Sequence, residues 1–181
     1  MRFEPTAIEG VTIVRRDGRG DERGRFSRLY CQREFAGAGL DTDWVQANHS
    51  LTLGAGSIRG LHFQRPPHAE IKLVSCIAGQ AYDVAVDLRS GSRTYLHWTA
   101  VELDEDCGLY IPAGCAHGFQ ALTDEVHLVY QHSTFYAPEA EGGVRFDDPA
   151  LGIDWPLAVA TVSDRDRGFP LIDANFEGIA L

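Results

Sequence analysis

Ile71-Lys72-Leu73-Val74-Ser75-Cys76-Ile77, a Gly79 break, and then Ala81-Tyr82-Asp83-Val84-Ala85-Val86-Asp87-Leu88 form the stretch that decides the fold. Both runs are short, apolar and rich in β-branched residues, and the glycine between them marks a turn. The rhythm continues outward. Tyr95–Leu103, Cys107–Ile111 and Glu125–His132 follow at roughly the 8–12-residue spacing of a β-sandwich or barrel. Asp104 to Asp106, Pro112-Ala113-Gly114 and Thr123-Asp124 supply the turns between them. One short helix is expected, from Gln32 to Gly39, with Phe35 on its apolar side. Pro138, Pro149, Pro156 and Pro170 make the last third extended loops and short turns that wrap the barrel. The expected architecture is all-β, a jelly roll with antiparallel strands throughout and a few short helices.

A chain of 181 residues buries a full core without metals or disulfides, so residues 1–181 are expected to form one domain. A net charge of −10 argues against nucleic acid as a partner, because phosphate-backbone binding is driven by lysine and arginine. It leaves room for a phosphorylated small molecule held by local arginines. Cys31, Cys76, Cys107 and Cys115 are scattered without CxxC pairing. With no apolar leader at the N-terminus they read as reduced thiols of a cytoplasmic protein. No apolar run approaches the ~20 residues of a membrane span. A glycine-rich strand-to-helix phosphate loop is missing, which removes Rossmann and P-loop readings.

The chemistry concentrates in Arg59-Gly60-Leu61-His62-Phe63-Gln64, followed by Lys72. Arginine is a bidentate anion clamp, histidine a base near neutral pH, and lysine a sink for developing negative charge. A second glycine-marked segment, Gly108 to His117, has the shape of the second signature of cupin jelly rolls, with His117 at the barrel mouth. Cupins often hold a metal through three histidines and a carboxylate, and His62, His68, Glu70 and His117 are of the right types. The spacing does not fit, since metal cupins place two of these histidines one residue apart and here five residues separate His62 from His68. His68, beside Pro66-Pro67, reads as a turn or ligand contact.

Acid–base work suits His62 better, given a carboxylate to fix its tautomer. Spacing alone does not choose among Asp83, Asp87 and Asp166. Tyr130 shares a strand face with Val126 and Leu128, which suits either a core tyrosine or a phenolic acid facing a cavity. Phe135 to Glu141 suits an ordinary loop or an aromatic platform for a nucleobase. Glu34, Glu102, Asp104 to Asp106 and Asp124 read as solvated surface charge.

Taken in order, the motifs resemble one family. They are Asp21-x-Arg23-Gly24-x-Phe26, Val45-Gln46-x-Asn48-x-Ser50, Arg59-Gly-Leu-His62-x-Gln64 and Lys72-Leu-Val74. Then follow Asp83-Val-x-Val-Asp87-Leu-Arg89, Ile111-Pro-x-Gly-x-Ala-His117-Gly-Phe119, Tyr130, Tyr136-x-Pro-Glu139 and Asp148-Pro-x-Leu-Gly-Ile-Asp-Trp155-Pro156. Across residues 4 to 173 the chain resembles the dTDP-4-dehydrorhamnose 3,5-epimerases, cupin-fold enzymes of deoxysugar biosynthesis. The resemblance implies epimerisation of a nucleotide-diphospho-4-keto-6-deoxyhexose at C3, C5 or both, without metal or organic cofactor. By position it implies His62 as base, Asp166 as its paired carboxylate, Tyr130 as acid on the opposite face, and Lys72 beside the C4 carbonyl. Arg23, Arg28, Gln46, Asn48, Arg59, His117, Tyr136, Glu141 and Arg165 fall on substrate-binding positions. A homodimer is also implied, with Arg23 and Arg28 acting in trans.

The chain departs from that family at Arg25 (commonly aromatic), Arg28 (Glu), Gln131 (Lys) and Arg165 (Lys). Rival readings are a metal-dependent cupin oxygenase or isomerase and a non-catalytic sugar-nucleotide-binding cupin. A binder has no need for an acid and a base.

Overall fold

The computed structural model describes residues 1–181. The chain begins with β1 (Arg2–Pro5), β2 (Thr12–Arg15), β3 (Arg19–Asp21), β4 (Gly24–Phe26) and α1 (Gln32–Gly37). The central strands are β5 (Gln46–Leu53), β6 (Ile58–Gln64), β7 (Lys72–Ala78), β8 (Ala81–Asp87) and β9 (Trp98–Leu103). Then come β10 (Cys107–Ile111), β11 (Cys115–Ala121), β12 (Glu125–His132), β13 (Glu141–Gly143) and α2 (Asp164–Arg167). One six-stranded sheet runs β1-β2-β10-β7-β12-β5; a five-stranded sheet runs β13-β6-β11-β8-β9. The expected jelly roll is found, all-β with two short helices. Its ladders are antiparallel, and the exception is an isolated parallel bridge from Arg89 to Ile179.

Between the sheets lies a core that includes Val74, Leu109, Ile111, Phe119 and Leu128. The outer face of the five-stranded sheet is covered by the proline-rich C-terminal third. Leu151 and Ile179 pack there on Leu61, Val84, Val86 and Leu88. Burial on both faces is why β8 and β11 are continuous runs rather than alternating ones. Phe35 of α1 plugs the outer face of the other sheet against Val14, Leu73 and Tyr110.

The strand bounds at Cys107–Ile111 and Glu125–His132 match the sequence reading. Tyr95–Leu103 is corrected, because the strand starts only at Trp98. Residues 93–96 are turn, Leu96 takes φ +63°, and Ser92 and Thr94 hydroxyls donate to Asp87 at 2.5 and 2.6 Å. That carboxylate pulls the chain out of the ladder. The helix ends at Gly37, short of Gly39. Glu34 is not simply solvated. It accepts from the N-terminal ammonium at 2.6 Å and from Arg28 at 2.7 Å, and these two cations hold its carboxyl down at about 2. Asp106, also read as surface charge, pairs with Arg25.

Gly60 lets β6 and β11 approach closely enough to build the site. Its φ is +119°, and a Cβ there would sit 2.5 Å from Gly118 Cα and 2.7 Å from the His117 carbonyl oxygen. Any side chain would push β6 off β11, and His62 lies two residues along.

Candidate active site

The barrel opens into a cavity of about 860 Å³. One wall is β6 and β11 of the five-stranded sheet; the other is β5, β7 and β12 of the six-stranded sheet. His62 and Lys72 of one segment and the distant Tyr130 and Asp166 all line it.

His62 projects from β6, and its Nε2 lies 2.7 Å from Asp166 Oδ1. Asp166 sits in α2, whose first turn is capped by Ser163 Oγ accepting from the Asp166 backbone N–H at 3.1 Å. Asp166 Oδ2 accepts from the Gly60 N–H at 3.1 Å. Burial alone would raise this carboxyl. The His62 hydrogen bond, the Gly60 amide and the Ser163 cap outweigh it and leave the pKa below the ordinary aspartate value. An ionised Asp166 accepts from Nε2–H, so the neutral ring carries its lone pair on Nδ1. Phe169 meets the ring edge-on at 5.9 Å. Of the three carboxylates that spacing left open, Asp166 is the one beside His62. Asp87 holds Arg89, Ser92 and Thr94, and Asp83 accepts from His117 Nε2 at 2.7 Å.

Tyr130 faces the cavity from β12. Its ring meets His117 edge-on at 5.7 Å and lies 6.0 Å from His132, nearly parallel. Burial raises the phenol strongly, the negative Asp83 adds to the rise, and Arg59 opposes it. Such a phenol stays protonated throughout the neutral range. In that state it can give a proton and cannot take one.

Lys72 is buried at the start of β7. It donates to the His62 carbonyl at 3.1 Å and lies 3.0 Å from Glu70 Oε1. The other oxygen of Glu70 is 2.7 Å from His132 Nδ1. Burial pushes Glu70 up, but the His132 hydrogen bond and the Lys72 charge bring it below its ordinary value. Sequence reasoning did not single out His132 and placed Glu70 only in the metal reading. The usable signal was alternation on β12, which puts His132 on the face of Tyr130.

At the mouth, Arg59 donates to Thr52 Oγ1 at 2.8 Å and to the Leu51 carbonyl at 3.2 Å, both neutral acceptors. No carboxylate lies within ion-pair reach of it. Arg59 therefore brings uncompensated positive charge to the cavity. Tyr136 is braced by its hydroxyl on Glu141 at 2.8 Å and its N–H on Gln46 at 3.1 Å. Arg165 closes the brace on Glu141 at 2.5 Å. Tyr136 is 54% exposed, so its ring is free to stack a planar ligand. Asn48 lines the same wall, within 3.3 Å of His132 Nε2.

Other residues of the sequence reading are committed to partners within the protein. Gln64 is buried and its amide is committed to the backbone of His68, Phe135 and Ala137, so it pins a loop. His68 lies on a turn, 3.9 Å from Glu139. The four donors of the metal reading do not converge, since His62, His117 and Glu70 each face a different partner. Arg23 and Arg28 stand outside this cavity, paired with Asp21 and Glu34 respectively.

Residues 5–174 match the family model for dTDP-4-dehydrorhamnose 3,5-epimerase. A 3,5-epimerase of that name from Methanothermobacter thermautotrophicus is 41% identical over 97% of this chain and 96% of its own. A dTDP-4-dehydrorhamnose 3-epimerase from Streptomyces niveus is also 41% identical, over 92% of this chain and 82% of its own. The Legionella pneumophila dTDP-6-deoxy-D-glucose-3,5-epimerase, solved with dTDP-4-keto-L-rhamnose, superposes with a TM-score of 0.91 at 35% identity, covering 99% and 98% of the two chains. With its sheets, cavity and motif order all in agreement, the chain belongs to the dTDP-4-dehydrorhamnose 3,5-epimerase family of isomerases.

Proposed function

We propose that this epimerase acts on a dTDP-4-keto-6-deoxyhexose, inverting carbons flanking the C4 ketone by proton abstraction on one face and reprotonation on the other. The observation that carries the reading is the opposition of His62–Asp166 on one wall to Tyr130 on the other, with the Lys72 ammonium between them in the chain of contacts. A ketone acidifies the protons on its neighbouring carbons. Nδ1 of His62 takes one of them, and Asp166 stabilises the imidazolium that results. Lys72 offsets the charge that develops on the enolate oxygen. Tyr130 then delivers its proton from the far side. Arg59 clamps the diphosphate, and Tyr136 stacks the base, with Gln46, Asn48, His117, Glu141 and Arg165 completing the contacts.

The test uses dTDP-4-keto-6-deoxy-D-glucose in D2O, followed by proton NMR at C3 and C5. Deuterium enters at one or both carbons of an inverted product. Binding with no exchange at either carbon would sink the reading and leave a carbohydrate-binding module in its place.

A homodimer completes the proposal, with Arg23 and Arg28 reaching the partner's cavity. Three features support it. The β3–β4 hairpin pairs with neither main sheet, its Phe26 is 77% exposed, and Leu51 and Leu53 lie exposed on the edge strand β5. Light scattering is expected to give a mass near twice 19.9 kDa, and Arg23→Ala to raise KM about tenfold with little change in kcat. A monomer with full activity would overturn the trans assignment. The four cysteines are free, which supports a reducing cytoplasmic setting. No helix is long and apolar enough to cross a membrane.

A further inference from the structure

The cavity holds a second histidine–carboxylate pair that the chemistry above does not use. His132 Nδ1 is 2.7 Å from Glu70 Oε2, the same separation as His62 from Asp166. Both side chains are close to fully buried, at 12% and 10% exposure, and both line the cavity. His132 lies two positions beyond Tyr130 on the same face of β12, with ring centroids 6.0 Å apart and planes 13° from parallel. The pairs are thus opposed: Asp166 supports an imidazole on the β6 wall, and Glu70 supports one on the β12 wall.

In a gluco-configured 4-ketopyranose the protons on C3 and C5 are both axial on one face. A single base on one wall reaches both. Inversion at both carbons, however, requires protons delivered at two positions on the opposite face. A phenol that has given up its proton at one carbon is no donor for the other until it is recharged.

We propose that His132, oriented by Glu70, is the second proton donor, serving the carbon that Tyr130 does not. The inference rests on the ketosugar reading above. In the step, His62 accepts the proton on carbon and the C–H electron pair passes into the enolate beside Lys72. That pair then returns to form the new C–H bond with the Nε2 proton of the His132 imidazolium, Nδ1 being held by Glu70. The Asn48 amide, 3.3 Å from Nε2, gives way to the sugar. His62 ends protonated and His132 neutral, and exchange with water resets both.

His132→Gln tests this, because glutamine retains an N–H for Glu70 and removes the transferable proton. Inversion at C3 and C5 is scored separately by NMR in D2O. One carbon is expected to invert within about 3-fold of wild type, the other to slow ~10²-fold or more, and the product to leave singly inverted. Equal slowing at both carbons overturns the proposal, since it would reveal only the Glu70–Lys72 contact. An unchanged ratio overturns it too, as does a wild type that inverts one carbon only. No exchange at all in the wild type overturns the ketosugar reading itself, a separate result.

Should the variant fail to fold, Glu70→Gln decides. The amide keeps an acceptor for His132 Nδ1–H but removes the charge that supports the imidazolium, while the loss of its contact with Lys72 bears on both carbons and cancels from the ratio of their rates. The His132-served carbon is expected to fall behind the other by about tenfold or more, and an unchanged ratio overturns the assignment.

Discussion

His62→Asn is expected to lower kcat by about 10²- to 10⁴-fold while leaving KM within a few-fold, the signature of a group that acts only in the transition state. The asparagine keeps a polar group near Asp166 but has no basic nitrogen at the Nδ1 position. Asp166→Asn is expected to approach the same loss by another route. A carboxamide no longer enforces the tautomer with hydrogen on Nε2, and it no longer supports the imidazolium. The pH dependence follows from the direction of the Asp166 shift. Its folded pKa is depressed, so its stabilising contribution is present above the ordinary aspartate range and is lost as pH falls through the lowered folded value. Asp166 therefore stays ionised throughout the neutral range and keeps the hydrogen on Nε2 of the ring there. Initial rates and solvent-deuterium wash-in measure both effects. Exchange at the wild-type rate in His62→Asn would remove the base assignment.

Much of this site was legible because strand periodicity converts spacing into facing. Val126, Leu128 and Tyr130 alternate on β12, so their shared face followed from the pattern, while the choice between core and cavity for Tyr130 did not. His62 and Lys72 were legible as types within one glycine-bounded segment. Pairing was a different matter. Three aspartates could have served His62, and the choice depends on α2 folding back over Gly60, a contact between residues 106 apart in sequence. Only the family resemblance reached that far. Cys115–Ala121 escaped the strand pattern because its small residues have weak β-propensity and its burial on both faces erases alternation. Glu34 and Asp106 looked like surface charge since nothing local to either announces Arg28, the N-terminal ammonium or Arg25 as partners. His132 was missed for a similar reason. Its significance comes from Glu70, which the chain brings alongside through the pairing of β7 with β12.

Tyr130→Phe separates proton removal from inversion. The phenylalanine ring keeps the edge contact with His117 and the parallel contact with His132. The hydroxyl makes no hydrogen bond within the protein, so its deletion orphans no buried partner, and stability should change by less than about 1 kcal/mol. Catalysis changes far more. Inversion at the carbon served by the phenol is expected to fall by about 10²- to 10⁴-fold. His62 still removes that proton and, once its own has exchanged with solvent, returns deuterium to the face it came from. The label therefore enters with retention at a carbon that wild type inverts. Burial and the charge of Asp83 hold the wild-type phenol protonated well past neutrality, so the contrast between the two proteins should persist into alkaline solution. Wild-type inversion rates at both carbons in Tyr130→Phe would take the acid role away from this side chain. Loss of exchange together with loss of inversion would instead make it part of proton removal, which a donor on the opposite wall has no means to perform.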